Sequence, residues 1–112
     1  METGNYTIKD AAKMMGVPTS TIRYYDKEGL LPFMERRESG YRIFTEKDIA
    51  TLRIIDCLKK TGMPIKEIRK FVKYTTMGDS TLEERRKMVL KQKKMVEEKI
   101  EELKKELNKI SK

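Results

Sequence analysis

The sequence predicts a mainly α chain: a helix-turn-helix with a hairpin wing over residues 1–80, then one long coiled-coil helix over residues 81–112. Three observations predict it. All six glycines and all three prolines precede Leu82, so the first part is punctuated and the last is not. Two short helical patterns are separated only by Gly16, Val17 and Pro18, a tight glycine-containing turn. Beyond Leu82, apolar residues return every seven positions.

The first helix opens at Thr7, a hydroxyl N-cap with Asp10 three residues on, and Ile8, Ala11, Ala12 and Met15 share one face. Gly16 stops it, and the small pair Ala11 and Ala12 lets a second helix cross closely. That helix runs from Thr19 to about Glu28 and ends at Gly29. It carries Thr19, Ser20, Thr21, Arg23, Tyr24 and Lys27 among few apolar residues. Hydroxyls, arginine and tyrosine donate to phosphates and base edges without requiring burial, which suits a helix lying in a DNA groove. A merely solvated helix face is the alternative.

Leu30-Leu31-Pro32 breaks the helical pattern, and residues 33–37 and 41–44 read as strands around Glu38-Ser39-Gly40. These strands carry Arg36, Arg37 and Arg42, with Tyr41 beside them. A basic hairpin directly after a helix-turn-helix is a wing that reaches over the phosphate backbone. Phe44, by contrast, is expected to pack the hairpin onto the core. Thr45 and Asp48 repeat the N-cap arrangement and open a third helix, Glu46 to about Lys60, with Ile49, Leu52, Ile55 and Leu58 as its stripe. After Gly62 and Met63-Pro64, the stripe Ile65, Ile68, Phe71 and Val72 marks a fourth helix ending near Tyr74, and residues 75–80 read as a loop.

Ser80 and Thr81 each stand three residues before a glutamate, Glu83 and Glu84, so the last helix has two candidate capping boxes. Val96, Ile100, Leu103, Leu107 and Ile110 alternate by four and three, which is a coiled-coil seam. Arg86 and Lys93 make its first half polar, and Met88, Leu90 and Met95 lie on other faces, able to pack back on the globular part. A helix from Leu82 to Ile110 spans on the order of 40 Å, too long for so small a body to cover. Leaving the five seam residues exposed forgoes roughly 1.5–3 kcal/mol for each, so a second copy of the helix is expected and the chain reads as a homodimer. A polar half against an apolar half argues against strictly parallel pairing.

Composition narrows the chemistry. The chain has 112 residues, 26 Lys+Arg against 18 Asp+Glu, and a net charge of +8, which favours a polyanionic partner. A single cysteine and no histidine exclude an internal disulfide, a multi-cysteine zinc site and any Ser-His or Cys-His catalytic pair. No metal, no cofactor and no enzyme activity are therefore expected. No apolar run reaches membrane-span length, and the first twenty residues lack a signal-peptide core, which points to the reducing cytoplasm.

Taken together, Tyr6-Thr7-Ile8, Ala11-Ala12, Gly16-Val17, the run Thr21-Ile22-Arg23-Tyr24-Tyr25-Asp26 and Gly29-Leu30-Leu31-Pro32 closely resemble the MerR family of bacterial transcription regulators. So do Arg36, Gly40-Tyr41-Arg42, Phe44 and Asp48-Ile49, and the motifs cover roughly residues 6–72. The resemblance implies a winged helix-turn-helix whose terminal helices pair as an antiparallel coiled coil. It implies binding of double-stranded promoter DNA at an inverted repeat in an over-long spacer, which the dimer distorts so that RNA polymerase contacts align. It places Thr21, Arg23, Tyr24 and Tyr25 on the recognition helix, and Arg36, Tyr41 and Arg42 on the wing. Lys60 is a further phosphate contact in the same pattern, and Pro18 replaces the serine common at the start of the second helix.

No cysteine follows Cys57, so the cysteines of metal-sensing branches are missing, and the chain is expected to lack a C-terminal drug-binding domain. The stretch Ile55 to Met63 around Cys57 resembles the single-cysteine branch typified by AdhR and NmlR, regulators responding to aldehydes and related electrophiles. Cationic neighbours such as Lys59 and Lys60 favour a nucleophilic thiolate; the alternative is an inert, buried cysteine. Two functions of other classes stand beside the regulator. One is a coiled-coil interaction module, against which the wing arginines argue. The other is an architectural, excisionase-like DNA binder, against which the long terminal helix argues.

Overall fold

The computed structural model of the chain describes residues 6–31, 35–36 and 42–111. Its elements are α1 (Ile8–Met15), α2 (Thr19–Lys27), β1 (Glu35–Arg36), β2 (Arg42–Ile43), α3 (Glu46–Lys60), α4 (Ile65–Thr76), a 3-10 turn (Gly78–Thr81) and α5 (Leu82–Ile110).

Local chemistry sets most boundaries. The Asp10 N–H donates to Thr7 Oγ1 at 3.1 Å while the Thr7 N–H donates to Asp10 Oδ2 at 3.0 Å, so two orphan donors of α1 are satisfied reciprocally. Thr45 and Asp48 do the same for α3, at 3.1 and 2.9 Å. Gly16 ends α1 in the left-handed region, at φ 71°, where a side chain is disfavoured. Pro18 supplies no side-chain cap to α2, yet the Thr21 N–H reaches its carbonyl at 3.1 Å and the helix begins at Thr19. Ala11 and Ala12 are buried beneath α2, and Ile22 and Tyr25 of α2 face inward.

The hairpin is antiparallel, with Glu35 opposite Ile43 and Arg36 opposite Arg42. Tyr6 and Phe44 exchange backbone hydrogen bonds of 2.8 Å in both directions, which ties the chain's beginning to the end of β2. Its apex, expected at residues 38–40, lies outside the described residues. Phe44 is fully buried and joins Leu30, Leu31, Ile49, Leu52, Ile55, Ile68, Phe71 and Val72 in a single core under α1–α4.

Two expectations near the last helix are corrected. The segment 75–80 is not a loop: α4 runs two residues past Tyr74, and a 3-10 turn follows. The hydroxyls of Thr75 and Thr76 donate back to the carbonyls of Val72 and Lys73, so both side chains are accommodated within the helix. Neither expected capping box forms at α5. The Thr81 hydroxyl is turned back towards the carbonyls of Tyr74 at 2.6 Å and Gly78 at 2.9 Å, and the Ser80 hydroxyl donates to Met77. Arg85 then bonds Thr81 Oγ1 and the Gly78 carbonyl, locking the junction. A hydroxyl inside a continuing turn finds carbonyls behind it sooner than free N–H groups ahead.

Phe44→Ala removes the largest fully buried side chain of the core. Urea unfolding should show a loss of about 3–5 kcal/mol; a change below about 1 kcal/mol is incompatible with this packing.

Candidate nucleic-acid interface

With Ile22 and Tyr25 turned inward, α2 presents Ser20, Arg23, Tyr24 and Lys27 to solvent, and Thr19 and Thr21 are half-buried at its flank. Arg23 Nη1 donates to Thr19 Oγ1 at 3.1 Å, which steadies the side chain and leaves the remaining guanidinium donors for a partner. Tyr24 exposes 42% of its surface, far more than a core tyrosine does. The helix therefore brings a cation, a phenol and hydroxyls to one outward face.

Tyr25 departs from the expected contact set. It is 3% exposed, and its hydroxyl donates to Asp56 Oδ1 of α3 at 2.7 Å. Three positions after Ile22, it falls on the same inward stripe, so it anchors α2 and presents nothing outward. Burial and the Asp56 hydrogen bond push its ionisation above the ordinary tyrosine range, keeping it a donor. Lys60 shares the carboxylate: its ammonium lies 2.9 Å from Asp56 Oδ2, with a side chain 65% exposed. That exposed pair contributes about 0–1 kcal/mol, whereas the buried hydroxyl-carboxylate bond contributes roughly 1.5–3 kcal/mol. The Tyr25 contact therefore dominates.

Of the wing residues, Arg36 and Arg42 stand opposite one another in the ribbon, which places two cations at one level of it. Their side chains and Tyr41 lie outside the described residues. Cys57 is exposed rather than buried, in an open depression lined by Met15, Arg53, Asp56, Lys60 and Thr61. One of its two expected cationic neighbours, Lys60, is engaged with Asp56 instead. The seam residues Ile100, Leu103, Leu107 and Ile110 are all exposed along α5, rising to 78% at Ile110, and Val96 is half-buried.

Three positioning contacts escaped the sequence reading. Arg69 of α4 donates to the Glu28 carbonyl at 2.6 Å and to its carboxylate at 3.1 Å, holding the C-terminal end of α2. Arg53 of α3 donates to the Met14 carbonyl at 3.0 Å, holding the end of α1. Gln92 of α5 donates to the Thr61 carbonyl and hydroxyl. No sequence signal separates Arg53 and Arg69 from their exposed basic neighbours. Asp56 did carry one: with Ile49 and Leu52 at helical spacing it interrupts an apolar stripe, and a buried acid requires partners.

Comparison with known proteins follows the same lines. The family model described as MerR HTH family regulatory protein matches residues 6–75, and that described as MerR, DNA binding matches residues 49–110. An uncharacterised HTH-type transcriptional regulator of Haemophilus influenzae is 47% identical over 92% of this chain and 76% of its own length. The regulator AdhR of Bacillus subtilis is 34% identical over 73% of this chain, which spans only 59% of AdhR. The crystal structure of HiNmlR, a MerR family regulator lacking the sensor domain and bound to promoter DNA, superposes with a TM-score of 0.85. It is 44% identical, with 96% of this chain and 86% of that one covered. Among the described residues no helix is long and apolar enough to cross a membrane.

The Asp56 contact has a pH signature. Burial pushes its carboxyl up, but the hydrogen bonds from Tyr25 and Lys60 and the Lys60 charge outweigh burial and hold it below the ordinary 3.8. A carboxylate lowered on folding stabilises fully above its unfolded value and loses that contribution as pH falls through the folded one. Asp56→Asn should therefore cost about 1–3 kcal/mol at neutral pH, and the gap from wild type should narrow below about pH 4. Paired urea titrations across pH check this; a gap that widens in acid contradicts it.

Proposed function

This chain belongs to the MerR family of DNA-binding transcription regulators, and on that premise we propose that it acts as a homodimer on an inverted repeat within a promoter. The observation that carries the reading is the outward face of α2, where Thr19, Thr21, Arg23 and Tyr24 can enter the major groove while Ile22 and Tyr25 hold the helix from behind. Arg36, Tyr41 and Arg42 of the wing follow the flanking backbone, and Lys60 is a secondary phosphate contact once it leaves Asp56. The neighbour solved on promoter DNA supports this assignment.

Residues 1–80 form the DNA-binding region and 81–112 the dimerisation helix in this reading. The exposed seam of Ile100, Leu103, Leu107 and Ile110, continued by Val96, is covered by the same seam of a second chain. Charge favours the antiparallel sense. Residues 82–96 carry six basic and two acidic side chains, and residues 97–110 carry five acidic and four basic. Antiparallel pairing sets the basic half of one helix against the more acidic half of the other, whereas parallel pairing sets basic against basic. Bending and twisting of the promoter spacer then realign the polymerase contacts, with the deformation offset by contacts that the bend permits. The dimer acts in the cytoplasm and performs no enzymatic step; its carboxylates pair with lysines along exposed helix faces.

A response to electrophiles through Cys57 is part of the proposal. The exposed thiol can add to the carbonyl carbon of an aldehyde, and it sits one residue from the Asp56 that holds Tyr25. An adduct there presses on the support of α2. Cys57→Ser should bind the operator normally and lose any aldehyde response in a reporter assay; a full response in that variant removes Cys57 from the mechanism.

Selection of genomic fragments by the reduced protein, followed by footprinting, tests the main reading. Protection of an inverted repeat between promoter elements is expected. Arg23→Ala should weaken that binding by about tenfold or more, and Leu103→Lys should sediment as a monomer and lose the repeat. Sequence-blind, salt-sensitive binding alone overturns the promoter mechanism.

A further inference from the structure

Among the described residues, the only buried residue of α5 is a polar one, Gln92, at 7% exposure. Its amide nitrogen donates to Thr61 Oγ1 at 2.8 Å and lies 3.2 Å from the Thr61 carbonyl. Thr61 is the C-cap of α3, and its hydroxyl reaches back to the carbonyls of Cys57 at 2.9 Å and Leu58 at 3.2 Å. Met88 and Met95 flank Gln92 one turn to either side, and with Met63, Pro64, Glu67 and Lys91 they line the groove between α4 and α5. Methionine contacts are adaptable and carry little directional preference. The amide is directional, and burial makes an unmade hydrogen bond there costly.

We infer that the Gln92–Thr61 contact sets the angle at which α5 leaves the DNA-binding region, and through it the half-site spacing that the dimer accepts. The inference rests on the dimeric, inverted-repeat reading above. Geometry gives it leverage. From Gln92 to Ile110 the helix extends about 27 Å. A rotation of about 10° at Gln92 moves its far end by about 5 Å, more than the 3.4 Å rise of one base pair. Each dimer has two such junctions, so errors in angle compound across the operator. A contact that touches no DNA thus decides which operators fit, and Gln92 is a positioning residue.

The test uses the full chain and the footprinted operator, with its two half-sites moved apart or together by one and two base pairs. Wild type should lose about tenfold or more in affinity for each single-pair change. Gln92→Leu, similar in volume but unable to donate, should bind all spacings within about threefold of one another while remaining dimeric in sedimentation. Thr61→Val, which leaves the amide only the longer carbonyl contact, should flatten the spacing profile part of the way towards Gln92→Leu, and Thr61→Ser, which keeps the hydroxyl, should retain wild-type discrimination. These Thr61 variants carry the test if Gln92→Leu does not fold. A spin label at Lys13→Cys in a Cys57→Ser background supplies a second readout. Its inter-protomer distance distribution should be narrow with Gln92 present and broadened by several ångströms in Gln92→Leu, a change that mere loss of stability does not produce. Spacing profiles of Gln92→Leu or Thr61→Val identical to wild type overturn the inference. A wild-type protein that protects no inverted repeat overturns the dimeric reading first and this inference with it, and the wild-type arm alone reveals that case.

Discussion

A hydrogen bond from a buried tyrosine to a carboxylate holds the outward face of α2 in place. The core beneath the helix-turn-helix is small, and α2 contributes only Ile22 and Tyr25 to it. Two side chains fix the tilt of a nine-residue helix poorly by packing alone, because apolar contacts tolerate sliding. The Tyr25 hydroxyl on Asp56 adds a directional restraint from α3, and Arg69 on the Glu28 carbonyl adds another from α4. The outward residues can then be polar and unpacked without the helix drifting. An interface for DNA has this requirement in general: its contact side chains contribute little to the fold, so the opposite face must be held by more than burial.

The legible parts of the fold were those decided within a few residues. Thr7 with Asp10, Thr45 with Asp48, and Gly16 at the end of α1 act locally, and each acts as its sequence pattern predicts. Tyr24 and Tyr25 were harder to separate, since adjacent aromatic residues look alike in a string. The helical period distinguishes them: Tyr25 stands three after Ile22 and Tyr24 four after Ser20. Thr81 could not be assigned from spacing, because its hydroxyl chose between N–H groups ahead and carbonyls behind according to the turn it sits in. Gln92 was illegible for another reason. Its partner, Thr61, lies thirty-one residues away, and a glutamine in a lysine-rich helix carries no local mark of burial.

The long helix owes little of its stability to the globular part. A 29-residue helix with one buried position among the described residues draws little from its own globular part beyond the turn at Thr81, Gln92 and Met88; Leu90 and Met95, expected to pack back, are exposed instead. Its i,i+3 pairs, Lys99–Glu102, Glu101–Lys104 and Glu106–Lys109, are exposed and contribute a few tenths of a kcal/mol each. Propensity and surface pairs can keep such a helix formed, yet they do not account for five aliphatic residues on one stripe. Such a stripe is what the proposed second helix would cover, and under that proposal the lopsided charge distribution favours an antiparallel partner.

The last turn and a half of α3 is where these demands converge. Asp56 faces α2, Cys57 faces solvent, Lys60 closes on Asp56, and Thr61 receives Gln92 from α5, all within six consecutive residues. The Thr61 hydroxyl adds a second donor to the Cys57 and Leu58 carbonyls, which already accept the N–H groups of Thr61 and Met63, while it accepts from Gln92 of α5. The support of α2 and the contact with α5 therefore lie within a single stretch of backbone. Cys57 lies between the two, next to Asp56 in sequence and with its carbonyl accepting from the Thr61 hydroxyl. That short segment therefore holds the contacts of α3 with both α2 and α5.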